Sequence, residues 1–177
     1  CAGAVAASNE QIEKIWNVAK NLGGSLSEYT VWLLERSMKT LAIRVKAHNK
    51  NAKKIARWLH QHPLVDHVYY PGLKTHPHYK LAKKQMNGYT GMLSFELNES
   101  VNSETFLKSL ALIKPSMSLA GVESTILAPS KASHALLGEE ERKRQGISEG
   151  LLRLSVGIED TKDLLLDLEK AFEMSTI

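Results

Sequence analysis

Arg153 is the residue whose position most directly suggests chemistry. It lies in a largely apolar run, Leu151 to Ile158, whose side chains are expected to face the two sides of a half-buried strand in turn. A charge held in a partly buried place is costly when it has no partner, so Arg153 requires one. The pattern leaves two interpretations open: a structural ion pair, or a planar guanidinium fork that binds the carboxylate of a small ligand.

Histidines and the cysteine are the other reactive side chains. His60 and His62, and then His76 and His78, are each two residues apart, a spacing that lets strand residues share a metal ion. His60 closes a predicted helix, however, and no carboxylate or cysteine nearby completes a ligand set. These patterns predict surface histidines and no metal site. Cys1 has no base assigned by the sequence and is a poor candidate for a nucleophile.

A long predicted helix carries a basic face that could follow a nucleic-acid backbone. No aromatic or base-reading side chain interrupts this face, so the sequence favours a solvated helix surface and predicts no nucleic-acid binding. The basic residues are Lys39, Arg44, Lys46, Lys50, Lys53, Lys54 and Arg57.

The length and composition are those of one globular domain. The 177 residues are 43% hydrophobic and 24% charged, with a net charge of +4. The single cysteine fits a reducing compartment, and we expect a cytoplasmic protein. The apolar runs are too short to cross a bilayer, so no membrane association is predicted. The N-terminus lacks a basic segment and is not interpreted as a signal peptide.

The first residues predict a strand edge followed by a helix. Ala2–Ala7 is a small apolar run, and Ser8 with Gln11 forms a capping box. Apolar residues then follow at helical spacing until Gly23.

Two further helices are predicted before residue 62. Ser25 with Glu28 forms a second capping box. A long helix over about 37–60 is then predicted, with one apolar stripe that is interrupted only at Asn49. Its apolar stripe consists of Met38, Leu41, Ala42, Val45, Ala52, Ile55, Ala56 and Leu59.

Beyond residue 62, short strands and helices alternate, which predicts an α/β fold with helices packed on a small sheet. The predicted strands are 65–70, 91–97, 124–127 and 151–158, and the predicted helices are 78–86, one capped at Asn102 or Ser103, 139–144 and one capped at Asp160.

Several motifs in order closely resemble the Cys/Met-metabolism enzymes that use pyridoxal phosphate, a family that includes cystathionine γ-synthase, cystathionine β- and γ-lyases and methionine γ-lyase. The resemblance covers nearly the whole chain. The motifs begin with 32–36, 39–41, Arg44 and 48–49, continue with 70–73, 76–77, 81–82, 85–86 and 91–95, and end with 118–124, 133–135, 139–142, 146–148 and the Arg153 strand.

The resemblance implies roles for three residues. Arg153 matches the arginine that binds the substrate α-carboxylate, and Ser118 matches a serine that helps to hold it. Met117 matches a variable position that lines the pocket for the distal substrate group. Ala120 stands where a glycine is common, a change for which we expect no obvious consequence.

The resemblance also implies what this chain does not contain. The family's Schiff-base lysine and its other cofactor-binding residues would lie upstream of Ala2, so we expect catalytic and cofactor-binding residues to be absent from this chain and the isolated chain to be inactive. Residues 1–24 would be the tail of the large cofactor-binding domain. Residues 25–177 would be the small C-terminal domain of a fold-type I pyridoxal-phosphate enzyme, with a small, mostly antiparallel sheet covered by helices and preceded by the long linker helix.

The implied function is that of the C-terminal part of a pyridoxal-phosphate-dependent carbon–sulfur lyase or transferase of trans-sulfuration, which would act on a sulfur amino acid as a tetramer built from dimers. Cystathionine β-lyase, methionine γ-lyase or sulfhydrylase chemistry is favoured over γ-synthase or γ-lyase action on cystathionine, because Met117 cannot pair with a distal ammonium. The alternatives are a noncatalytic association module and, less favoured, a basic nucleic-acid-binding domain.

Overall fold

The first compact unit of the chain contains two helices. The computed structural model describes residues 2–177, and Cys1, considered above as a nucleophile, lies outside the described residues. The chain divides into one unit that ends at Ile43 and a second unit, Arg44–Ile177. The predicted division after residue 24 remains a prediction.

Helix α1, Asn9–Leu22, begins and ends as predicted. The Ser8 hydroxyl accepts a hydrogen bond from the backbone N–H of Gln11, and Gly23 ends the helix with a left-handed φ of 68°. The predicted strand over Ala2–Ala7 is wrong, since these residues form no regular structure. A strand requires a hydrogen-bonding partner for its backbone groups, and a run of small apolar residues does not by itself provide one.

Helix α2 covers Glu28–Met38 and begins later than its capping box predicted. The cap is Ser27, whose hydroxyl accepts from the Thr30 N–H, and not Ser25. Neither α1 nor α2 buries a residue, so the predicted apolar stripe of α1 is exposed, with Trp16 at 66% and Leu22 at 79%.

The second unit begins within helix α3, Leu41–Leu59. A turn at Lys39 and Thr40 separates α3 from α2, so α3 starts later than the predicted 37. It continues without a break through Asn49, as the single predicted helix implied. Only the later part of its apolar stripe is buried, in Ala52, Ile55, Ala56 and Leu59.

A five-stranded sheet forms the body of this unit, in the order β1-β2-β5-β4-β3. All pairs are antiparallel except β3 with β4, which confirms the predicted mostly antiparallel sheet. The two-residue strand β3 was not predicted. The strands are β1 Val65–Tyr69, β2 Met92–Leu97, β3 Lys114–Pro115, β4 Thr125–Leu127 and β5 Leu151–Ser155.

Further helices alternate with the strands along the second unit. Asn102 and Asp160 cap α5 and α7 through their side chains, as predicted. The helices are α4 Tyr79–Gln85, α5 Ser103–Ser109, α6 Glu139–Arg144 and α7 Thr161–Ser175, and a 3-10 turn covers Pro129–Lys131.

The core joins α3, α5 and α7 to the strands. Its largest members, all less than 2% exposed, are Tyr70, Phe95, Phe106, Phe172, Ile55, Leu59, Ile113, Ile126, Leu152, Leu154, Leu164 and Leu168. Because every second residue of β2 and β5 contributes to this core, the intervening residues are directed to the opposite face of the sheet.

Candidate functional site

Arg153 is at the centre of β5, a strand paired on both sides. It lies opposite Ser94 of β2 and Leu127 of β4. Leu152 and Leu154 on either side are fully buried in the core, whereas Arg153 is half-buried. The alternation predicted from the sequence is therefore confirmed, and it directs a guanidinium to the face of the sheet away from the helices.

Backbone carbonyls hold the guanidinium of Arg153. Its Nη2 donates to the carbonyl oxygen of Met117 at 3.0 Å and lies 3.5 Å from that of Ser118. The structure thus brings together all three residues predicted for the site. Among residues 2–177, no ion pair includes Arg153, so the alternative of a structural ion pair is not observed.

The Nε of the Arg153 guanidinium is the nitrogen that is both buried and unpaired among residues 2–177. Most buried donors in proteins are paired, and one that is not requires an explanation. A planar cation that is oriented by carbonyls and retains an unpaired donor is suited to accept a carboxylate.

Ser118 and Met117 are accessible beside Arg153. Met117 is 64% exposed, so its side chain can contact a ligand. The Ser118 carbonyl accepts from the Thr125 hydroxyl at 2.7 Å. Its N–H already donates to the Ser116 hydroxyl at 3.1 Å, so the hydroxyl, and not the backbone N–H, is the Ser118 donor that can reach a ligand.

Ala120 adopts a backbone conformation that favours glycine. Its φ is 60°, in the left-handed region, which costs an alanine about 1 kcal/mol or more. Its N–H donates to the Ser155 hydroxyl at 2.8 Å, a contact that helps to maintain this conformation. The expectation that alanine has no consequence at this position is therefore wrong, because the residue carries local strain.

A hydrogen-bond network that the sequence did not predict lies at the C-terminal end of the loop that contains Ser118 and Ala120. Both carboxylate oxygens of Glu159 accept hydrogen bonds from Ser124, one from its N–H and one from its hydroxyl. The sequence offered one indication that Glu159 acts elsewhere. Asp160 caps α7, so the adjacent Glu159 is not needed as the cap of that helix.

Helix α3 holds the same segment from the other side. The Asn51 amide donates to the carbonyls of Gly157 at 3.2 Å and Glu159 at 2.8 Å, and its oxygen accepts from the Thr161 hydroxyl at 2.7 Å. The His48 Nδ1 lies 2.7 Å from the Val156 carbonyl. The residues that follow β5 are therefore fixed by buried polar contacts.

The histidine pairs form no ligand set. His62 stacks on Phe172, with ring centroids 4.0 Å apart, and its pKa is lowered by burial, an effect that the Glu169 carboxylate partly offsets. The rings of His76 and His78 are 5.9 Å apart. In the part of the chain that the structure describes, no group of three or more His, Cys, Asp or Glu residues could hold a metal ion.

Comparison with known proteins decides the family. The family described as Cys/Met metabolism PLP-dependent enzyme matches residues 1–173. The chain belongs to this family. Cystathionine gamma-lyase of Bacillus subtilis (strain 168) is 44% identical over 169 residues, which cover 96% of this chain and 45% of that protein. Cystathionine beta-lyase of Lactococcus lactis subsp. cremoris (strain MG1363) is 43% identical over 166 residues, which cover 94% and 44%.

A solved structure supports the same conclusion. The crystal structure of cystathionine gamma-lyase from Lactobacillus plantarum complexed with L-serine matches with a TM-score of 0.90 at 42% identity, over 97% of this chain and 45% of that one. The fold of this Cys/Met-metabolism family member is that of the fold-type I pyridoxal-phosphate enzymes, as the resemblance implied. The chain spans about 45% of the length of the relatives it matches.

The residues of the site suit a substrate better than the cofactor itself. A cofactor aldehyde requires a primary amine for covalent attachment, and Arg153, Ser118 and Met117 provide none. The guanidinium of Arg153, whose Nε has no partner among residues 2–177, has the chemistry to bind a carboxylate.

No helix among residues 2–177 has the length and apolar character needed to span a bilayer.

Proposed function

We propose that this chain forms the substrate-carboxylate-binding part of a pyridoxal-phosphate-dependent carbon–sulfur lyase or transferase. The observation that carries the proposal is the Arg153 guanidinium, which backbone carbonyls of Met117 and Ser118 orient and whose Nε has no partner among residues 2–177. The family supports the cofactor and the class of reaction.

Arg153 acts by binding and orientation. Pyridoxal phosphate, when bound, withdraws electrons from the Cα of an attached amino acid. A bidentate contact between Arg153 and the α-carboxylate would fix the rotation about Cα, so that the Cα proton and not the carboxylate would be the group that is lost. The Ser118 hydroxyl adds a donor to the same carboxylate. The cofactor lysine is proposed to lie upstream of this chain, which by itself would have no turnover.

Met117 is proposed to contact the distal part of the substrate. Its exposed side chain is apolar and cannot pair with a distal ammonium group. We therefore favour cystathionine β-lyase, methionine γ-lyase or sulfhydrylase chemistry over γ-synthase or γ-lyase action on cystathionine.

Substitution of Arg153 in the holoenzyme that contains this chain tests the proposal. Arg153→Ala should lower kcat/KM for sulfur amino acids by about 30- to 1000-fold, equivalent to about 2–4 kcal/mol, with unchanged cofactor absorbance. Arg153→Lys should recover only part of this loss, because a point charge lacks the fork geometry. Arg144→Ala removes the same charge from an arginine 79% exposed and is the matched control. Near-wild-type kcat/KM of Arg153→Ala for every amino acid tried would contradict the proposal.

Association without catalysis is the second candidate function. The exposed apolar side chains of α1 and α2, such as Trp16 and Tyr29, favour contact with another protein surface. For the complete enzyme we propose a tetramer built from dimers. Light scattering of the 177-residue chain over a range of concentrations tests this candidate function. A chain that stays monomeric at every concentration tried would contradict an associative role.

A further inference from the structure

The loop 117–124, called here the clamp loop, contains no helix or strand. It provides both carbonyls that contact the guanidinium of Arg153. A loop without internal ladder hydrogen bonds keeps its shape only through contacts with other elements. The position of the guanidinium therefore depends on what holds the clamp loop.

The C-terminal end of the clamp loop is held by one carboxylate. The Ser124 N–H donates to Glu159 Oε1 at 2.5 Å, and its hydroxyl donates to Glu159 Oε2 at 2.9 Å. The same hydroxyl accepts from the Gly157 N–H at 2.8 Å. Ser124 is fully buried, and hydrogen bonds to an ionised acceptor are stronger than neutral ones. Glu159 is therefore a rigid support for Ser124.

A short series of contacts connects Glu159 to Arg153. Thr125 follows Ser124, and its hydroxyl donates to the Ser118 carbonyl at 2.7 Å. The Ser118 and Met117 carbonyls in turn face Nη2 of Arg153. A displacement of Ser124 is thus transmitted through Thr125 to the carbonyls that orient the guanidinium.

We propose that Glu159 is a positioning residue for substrate-carboxylate binding: it holds Ser124, and through the clamp loop it keeps Arg153 aimed at the carboxylate. This inference rests on the proposed function. Glu159 contacts no reacting atom in this arrangement. Its removal therefore weakens carboxylate binding through Arg153, whereas a substrate that does bind Arg153 keeps the same rotation about Cα, so the chemical step is nearly unchanged.

Steady-state kinetics of the holoenzyme containing this chain test the proposal. Glu159→Gln should raise KM for the amino acid by roughly 3- to 30-fold while kcat changes less than about threefold, the pattern of lost uniform binding. Ser124→Ala keeps the backbone donor and should raise KM in the same direction by a smaller factor. It serves as the milder variant if Glu159→Gln fails to fold. A KM within about twofold of wild type in both variants overturns the proposal.

Asp167→Asn is the matched control. Asp167 is also a carboxylate that holds a loop, since it accepts from the N–H groups of Ala111, Leu112 and Ile113 at 2.8 to 3.0 Å. It makes no contact with the clamp loop in these hydrogen bonds. Asp167→Asn should lower Tm without raising KM. An increase in KM equal to that of Glu159→Gln would mean that general destabilisation is sufficient, which overturns the proposal.

A double-mutant cycle separates this proposal from the function on which it rests. If Glu159 acts through Arg153, Glu159→Gln should have no further effect on KM in an Arg153→Ala background. If Glu159→Gln raises KM by its full factor in that background as well, Glu159 does not act through Arg153. That result overturns the positioning role and leaves the proposed function standing. If Arg153→Ala by itself leaves KM and kcat/KM unchanged, the proposed carboxylate-binding function is the one that fails.

Discussion

Replacement of Gly157 by alanine should displace the clamp loop. A Cβ atom built at Gly157 would lie 2.7 Å from the carbonyl carbon of Glu123, and it would overlap both the Val122 carbonyl oxygen and Glu159 Oε2. Two of these three obstacles are backbone atoms, which no side-chain rotation can move. The clamp loop and the segment after β5 must therefore separate.

The size of this separation sets the expected loss of stability. An ordinary contact of 3.4 Å requires a movement of about 0.7 Å away from Glu123, and the nearer Val122 carbonyl oxygen requires more, so 0.7 Å is the minimum. The hydrogen bonds Gly157 N–H to Ser124 Oγ, at 2.8 Å, and Ile158 N–H to the Val122 carbonyl, at 2.9 Å, would then lengthen to about 3.5 Å or more, the limit of a useful bond. Overpacking and the weakening of two buried bonds together should lower the free energy of unfolding by about 2–4 kcal/mol.

Urea and thermal unfolding of the 177-residue chain, followed by circular dichroism, measure this loss. For a chain of this size, Gly157→Ala should lower Tm by roughly 5–15 °C. Gly24→Ala is the matched control, because nothing among residues 2–177 lies within 4 Å of a Cβ at Gly24, and it should change the free energy of unfolding by less than about 0.5 kcal/mol. A Gly157→Ala chain as stable as the Gly24→Ala chain would refute the close approach on which the reasoning depends.

Four further predictions follow from other parts of the chain. Gly138 caps α6 without a side chain, so Gly138→Ser should raise the free energy of unfolding by about 0.5 kcal/mol, and an unchanged urea midpoint would count against it. Burial lowers the pKa of His62 below 6.5, so as the pH falls the His62 side chain is protonated in the unfolded chain before it is protonated in the folded chain. Stability should therefore be full above pH 6.5 and be lost as the pH falls through the folded pKa, and His62→Phe should flatten this dependence; an identical pH profile would contradict the assignment. In the holoenzyme, Met117→Glu should shift the kcat/KM ratio toward cystathionine over methionine without changing cofactor absorbance, and an unchanged ratio would exclude a role in specificity. Amides of Met92–Leu97 should show slow hydrogen exchange in the isolated chain, because this strand is paired on both sides; exchange as fast as in a random coil would show that the chain does not fold alone.

Features that depend on neighbouring residues were predictable from the sequence. The caps at Ser8, Asn102 and Asp160 each involve a hydrogen bond spanning two or three residues, so the local sequence contains both partners. The alternation in β5 likewise reports burial on one face of a strand, and it correctly marked Arg153 as the polar exception.

Errors arose where a local pattern needed a distant partner. Ala2–Ala7 has the composition of a strand edge but forms no strand, whereas the unpredicted strand β3 exists only because Lys114 and Pro115 pair with β4. Ser25 and Ser27 are both acceptable caps, and the choice between them depends on where the chain turns.

By itself, the sequence determined the order of most helices and strands, the buried stripes and, through ordered motifs, the resemblance that named Arg153, Ser118 and Met117. Only the tertiary structure decided how these residues meet. Met117 and Arg153 are 36 positions apart, and Ser124 and Glu159 are 35 apart. Contacts across such separations result from strand pairing and loop packing, because periodicity assigns a residue to a face but not to a partner. The left-handed backbone of Ala120 and the close approach at Gly157 have the same origin, since both follow from the way the clamp loop is held against the residues after β5.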